Sequence, residues 1–260
     1  MQLIKTEFTQ NMFGYAYVMT RICSLFISAP LFSNKNIPLR VKTALSLLLA
    51  FIITPTINLS PIPDPISLSG LLLLLQQVLI GLIIGFIFQL ILHISVIGGQ
   101  MIAIQSGLAH ASIVDPINQR DQPILSDFFV MITLLLFLIS NGHILAISMI
   151  HNSFDLIPIS LTDSYSFSYL DIVIYFGDIF SAALGFAIPT ITAMFIINLT
   201  LAIMARSSPQ LNIFNLGLPL MLFAGLFLIY LNLPNIVDHI ETILVHEYQN
   251  AMTLVRSSNG

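Results

Sequence analysis

Apolar residues fill six stretches of this chain, at about 11–32, 42–58, 70–98, 124–150, 174–205 and 212–233, each near or beyond the roughly 20 residues that cross a bilayer. Helix is the expected form of each, because lipid offers an isolated segment no partner for its backbone N–H and C=O groups. The third and fifth stretches exceed one straight span, which predicts kinked or hairpin helices there. A different pattern follows: Ile236, Val237, Ile240, Ile243 and Leu244 recur at helical spacing among Asp238, His239, Glu241, Thr242, His246 and Glu247. That pattern predicts an amphipathic helix over 235–252, lying against a protein neighbour.

The polar connections carry unequal charge. Lys35, Arg40 and Lys42 stand at the first, Arg120 in the third and Arg206 in the fifth, whereas the second and fourth, 55–69 and 152–171, have no basic residue. The positive-inside rule places the odd connections in the cytoplasm and both termini outside, a self-consistent six-span topology. Within the apolar stretches, Pro30, Pro189 and Pro219 interrupt the pattern, and Gly81 and Gly85 form a GxxxG pair. Small residues at that spacing let two backbones approach closely, and proline breaks are tolerated where protein neighbours satisfy the freed carbonyls.

Composition agrees with a membrane address: 57% of the 260 residues are hydrophobic and 8% are charged, with mean hydropathy +0.95. Soluble domains carry about a quarter charged residues. The fold class expected is all-α, a single membrane-associated helical domain over 1–260. The eight basic residues are scattered and the net charge is −4, so no face is available to neutralise a nucleic-acid backbone. Cys23, the sole cysteine, lies inside the first stretch and reads as a small apolar filler. The first stretch also outruns the short core of a cleaved leader, so the N-terminus is expected to be retained.

Ionisable groups inside apolar stretches are costly and mark function or pairing. Here they are Arg21, His93, Asp127, His143 and Asp178, and a buried ion pair of Arg21 with Asp127 or Asp178 is the expected arrangement. The nearest approach to a metal cluster, His239, Glu241, His246 and Glu247, does not converge on one face, and no HExxH is present. Neither a Walker loop, a GxGxxG nor a GxSxG pattern occurs, so no cofactor or catalytic activity is expected. Residue patterns alone thus give a polytopic membrane subunit, with a secondary transporter as the alternative; the two halves show no repeat symmetry in its favour.

Several motifs narrow this. Ala29-Pro30-Leu31-Phe32 precedes Ile37-Pro38-Leu39-Arg40; Gly99-Gln100 precedes Gly107-Leu108-Ala109, Asp115-Pro116 and Asn141-Gly142-His143; and Pro209-Gln210-Leu211-Asn212-Ile213-Phe214 precedes Gly217-Leu218-Pro219-Leu220. In content and order these resemble the FliR family of flagellar export-gate subunits, and less closely the equivalent subunits of virulence type III secretion systems. The resemblance implies a non-enzymatic member of a hetero-oligomeric gate in the bacterial inner membrane and flagellar basal body. FliP, FliQ and further export components would be its partners, secreted flagellar subunits its cargo, and membrane lipid its surroundings. It also implies that Gly107, His110, Ile113, Asp115 and Pro116 belong to a plug that closes the pore. His110 and Ile113 stand where the family often has phenylalanine, which opens the seal to softening or pH dependence. Arg206, Pro209, Gln210, Leu211 and Asn212 would touch partner helices.

Overall fold

The computed structural model describes residues 2–30, 32, 37–57, 62–109, 123–160, 169–207 and 217–257. Among them are seven α-helices and one 3₁₀ turn: α1 (Gln2–Ser28), α2 (Leu39–Ile53) with the 3₁₀ turn Thr54–Thr56, α3 (Leu68–Gln105), α4 (Ile124–Ile139), α5 (Gly142–Leu156), α6 (Tyr169–Ser207) and α7 (Leu218–Ser257). No strand occurs among the described residues. The protein is an all-α integral membrane protein, as the apolar pattern predicted.

Helix boundaries depart from that pattern in instructive ways. α1 ends two residues before Pro30, and Pro38 caps the start of α2 with φ −57° and ψ 141°, extended backbone that proline favours. Ser67 caps α3 by accepting a hydrogen bond from the Gly70 N–H at 3.0 Å. The stretch 124–150 is two helices rather than one span, because Asn141 takes a left-handed backbone, φ 57°, between Ser140 and Gly142. Conversely, 212–233 and 235–252 are not separate. α7 runs through Pro234, since one proline removes a single helical donor and the apolar face continues on both sides of it. α3 and α6 are likewise continuous rather than hairpins, Pro189 notwithstanding.

The six-span topology is therefore corrected. Among the described residues four helices, Leu39–Thr56, Leu68–Gln105, Val173–Ser207 and Leu218–His246, are long and apolar enough to cross a membrane; α4 and α5, bent by 68° at their junction, form either a broken fifth span or a re-entrant pair. Alternation of the basic connections no longer fixes which side each lies on.

Within the chain, two compact units can be distinguished. The first comprises Met1–Leu90, Asn141–Asp171 and Tyr248–Gly260; the second comprises Ile91–Ser140 and Ile172–Glu247. In the first, Tyr17, Ile22 and Phe26 of α1 are buried with Leu73 and Ile84 of α3 and with Met149 and Phe154 of α5. The α1–α3 seam is set by the GxxxG pair. A Cβ on Gly81 would strike Ser24 Oγ and the Arg21 carbonyl oxygen, and one on Gly85 would lie 2.9 Å from both the Ala29 nitrogen and the Leu25 oxygen. Ser24 and Ser28 return their own hydroxyls to carbonyls of α1, so backbones meet without an orphaned donor.

In the second unit the C-terminal half of α3 is the hub. Gly98 accommodates the Phe186 ring of α6, Gly99 lies against Ser126 of α4, and Ser95 and Thr133 share a hydroxyl hydrogen bond at 2.5 Å. Phe129 and Phe186 meet edge to face at 5.5 Å.

Candidate functional site

The connection after α3 is the region that the resemblance to the FliR family implies is a plug, and its described root is built from three helices. α3 closes with Ser106 N–H donating to the Ile102 carbonyl at 2.9 Å and Gly107 N–H donating to Ile104 at 3.2 Å. Gly107 then turns left-handed, φ +76°, with nothing within 4 Å of the place a Cβ would occupy. Glycine is required there for its dihedral, not for room. Just before it, the Gln105 carbonyl accepts from Asn198 Nδ2 of α6 at 3.1 Å. Buried Ser106 abuts α7 at Gly225, where a Cβ would lie 2.5 Å from Ser106 Cβ. The root is thus held to α6 by a side-chain hydrogen bond and to α7 by a glycine notch.

Replacing Asn198 with leucine is expected to leave the Gln105 carbonyl without that donor, a cost of about 1 kcal/mol. Faster amide exchange confined to residues 102–107 would register it, and unchanged exchange there would show the bond to be idle.

Arg21 is the second arrangement, in the first unit. It is 0% exposed. Its Nε donates to Gln77 Oε1 at 2.8 Å, Nη1 to the Ser153 carbonyl at 2.9 Å and hydroxyl at 3.0 Å, and Nη2 to the Ile157 carbonyl at 3.0 Å. The guanidinium carbon also stands 4.1 Å from the centre of the Phe154 ring. Ser153 and Ile157 flank the end of α5, where the Ser153 carbonyl already accepts from the Ile157 N–H at 2.9 Å, the Ile157 carbonyl lies past the last helical turn, and the helix dipole is negative. A planar cation with several diverging donors fits that end, and in doing so it ties α1, α3 and α5 together.

Asp127 and Asp178, the carboxylates expected to pair with it, are exposed and belong to the second unit. Asp127 occupies the first turn of α4, where a negative charge meets the positive end of the helix dipole. His93 and His143 are half-buried, and His143 Nδ1 has no hydrogen-bond partner among the described residues. Arg206 is exposed in the last turn of α6, matched to the negative end of that helix. His110, Ile113, Asp115 and Pro116, and likewise Pro209, Gln210, Leu211 and Asn212, lie outside the described residues.

Sequence reasoning missed Gln77, Ser153 and Phe154 as the setting of Arg21, and Asn198 and Gly225 as the root of the connection. Gln77 did carry a signal, being an amide in a run of leucines, where a polar group needs a partner. Gly225 carried none, because its value depends on which serine faces it. Among the described residues no three His, Cys, Asp or Glu side chains gather to hold a metal.

The sequence profile of the bacterial export proteins, family 1, matches residues 12–246. Curated relatives agree with it. Flagellar biosynthetic protein FliR of Escherichia coli (strain K12) is 34% identical over 227 residues, covering 87% of each chain. The protein of the same name from Pectobacterium carotovorum subsp. carotovorum is 35% identical over 227 residues, again 87% of each. That of Bacillus subtilis (strain 168) is 28% identical over 249 residues, 93% of this chain and 95% of the relative.

Proposed function

This chain belongs to the bacterial export proteins, family 1, and from that premise we propose that it is a subunit of the flagellar protein export gate. It works in the bacterial inner membrane at the flagellar basal body as a transport component rather than an enzyme. It packs against FliP and FliQ, and flagellar subunits pass through the pore they form together. The names of these three relatives, each flagellar, favour this over a virulence system.

The observation that carries the assembly reading is the length of apolar surface on α6. Exposed large apolar side chains run along it from Val173 through Phe180, Ile188 and Phe195 to Met204. That is about 47 Å of helix at 1.5 Å per residue, against a hydrocarbon layer about 30 Å thick. Lipid alone would cover the stripe only at a tilt of about 50°, beyond the range up to about 40° that membrane helices adopt. Part of α6 therefore calls for protein cover, as a subunit of a larger assembly has. Native mass spectrometry of the chain coexpressed with FliP and FliQ is expected to give a discrete hetero-oligomer with one copy of this chain. A lone monomer or homodimer would sink the reading.

Within the gate, Gly107 to Asp115 forms part of the seal. Its root is fastened at Ser106 and Gln105, so the connection starts from a fixed point. Removing 107–115 from the assembled gate is expected to raise ion leakage through vesicles that contain it. A deletion gate as tight as the parent would assign closure to other residues.

A further inference from the structure

The outer face of α2 differs from that of α6 in both length and charge. Only Ser46, Leu49, Ala50 and Ile53 of α2 are buried, a single seam at helical spacing. The remaining arc exposes Leu45, Leu47, Leu48, Phe51 and Ile52, with Leu48 54% and Phe51 68% exposed. With its 3₁₀ turn the helix spans Leu39–Thr56, 18 residues. Beyond Lys42 its length is about 22 Å, within the roughly 30 Å of a hydrocarbon layer, so lipid is sufficient to cover it without tilt or protein.

Its two ends are unlike. At the start, Arg40 is exposed and Lys42 half-buried, and Arg40 lies on the same arc as Leu47 and Phe51, so its stem continues the apolar stripe toward its charged head. At the other end, Thr54 and Thr56 return their hydroxyls to the carbonyls of Ala50 and Ile53, and the first charged residue beyond them that the structure describes is the acidic Asp64. One end is cationic at headgroup level and the other is neutral to acidic.

We infer that the Leu45–Leu48–Phe51 face of α2 is a lipid-facing surface, and that Arg40 and Lys42 at its head bind the phosphates of an anionic phospholipid leaflet. This places α2 at the rim of whatever assembly the protein joins. It also fixes α2 across the bilayer with its N-terminal end in the more anionic leaflet.

The chain has no tryptophan, so Leu48→Trp provides a reporter at an exposed position. The assembly coexpressed with FliP and FliQ is reconstituted in phosphatidylcholine vesicles containing a minority of phosphatidylglycerol, with bromine on the acyl chains of one lipid or the other. Quenching is read as the difference from the parent assembly. Tryptophan is expected to be quenched, with phosphatidylglycerol enriched about tenfold over its bulk fraction at the helix, and Arg40→Gln with Lys42→Gln should abolish that enrichment while leaving quenching in place. Absence of quenching by either lipid means protein covers α2 and overturns the inference; equal quenching by the two headgroups overturns the charge assignment. Leu45→Trp, one turn earlier, repeats the measurement should Leu48→Trp fail to fold. Mass is read before quenching, so a failure to assemble counts against the export-gate reading alone. In that case the headgroup preference of the full chain decides the inference.

Discussion

Arg21→Met will destabilise the first unit by an amount on the order of 4 kcal/mol. Methionine fills much the same space, but it leaves Gln77 Oε1 and the Ile157 carbonyl without the donors they have now, and takes one of two donors from the Ser153 carbonyl, which keeps the Ile157 N–H. Each buried acceptor deprived of its partner costs about 1–3 kcal/mol. Arg21→Lys is expected to recover less than half of the loss, since one ammonium on a flexible stem cannot serve an amide on α3 and two carbonyls at the end of α5 at once. Fluorescence-detected size exclusion after heating in detergent ranks the three proteins. Adding Gln77→Leu to Arg21→Met removes one of the stranded acceptors and should restore part of the midpoint, a coupling that unspecific damage would not show. Equal midpoints for parent and Arg21→Met would mean the guanidinium contributes nothing net.

Gly85→Val is the second large effect, about 3 kcal/mol or more. A branched side chain there would press on Ser28 Oγ and on the backbone nitrogen of Ala29, and the rigid helix of which Leu25 is part cannot yield as a flexible side chain would. Gly177, on α6, has nothing within 4 Å of its Cβ position, so Gly177→Val serves as the matched control and is expected to be nearly silent. If both glycines tolerate valine alike, the close approach of α1 and α3 does not bear on stability. Ala at position 85 should fall between, because the first carbon already makes the contact.

These two sites show what the sequence disclosed and what it withheld. The GxxxG spacing announced a close helix approach, and burial of an arginine in an apolar stretch announced that something must satisfy it. Both are local signals. The identity of Arg21's partners was not local: a carboxylate is the obvious mate, whereas the structure presents a helix end, an amide and an aromatic face. No residue pattern advertises the C-terminal carbonyls of a helix, because every helix has them. Helix continuity was hidden for a related reason. Pro189 reads as an interruption and Pro234 falls between the stretches 212–233 and 235–252, but each removes one donor from helices of 39 and 40 residues, and neighbouring packing outweighs that loss. Asn141, by contrast, looks harmless in sequence and breaks the chain's fourth apolar stretch, because its conformation rather than its polarity ends α4. The connection rooted at Gly107 was found through family motifs, while the notch made by Gly225 appears only once α7 is laid beside Ser106.

The corner at Asn141 carries a consequence for where water can go. α4, 16 residues, and α5, 15 residues, are each about 23 Å long and too short to cross the hydrocarbon layer alone. Between them the Asn141 carbonyl accepts from Ile144 and Leu145, yet the opening amides of α5 have no earlier turn to bond to, and the Nδ1 of His143 lacks a partner among the described residues. Hydrocarbon cannot supply what these groups want. The start of α5 therefore calls for solvent, or a polar neighbour standing in for solvent, and that need sets how deep this helix is able to sink.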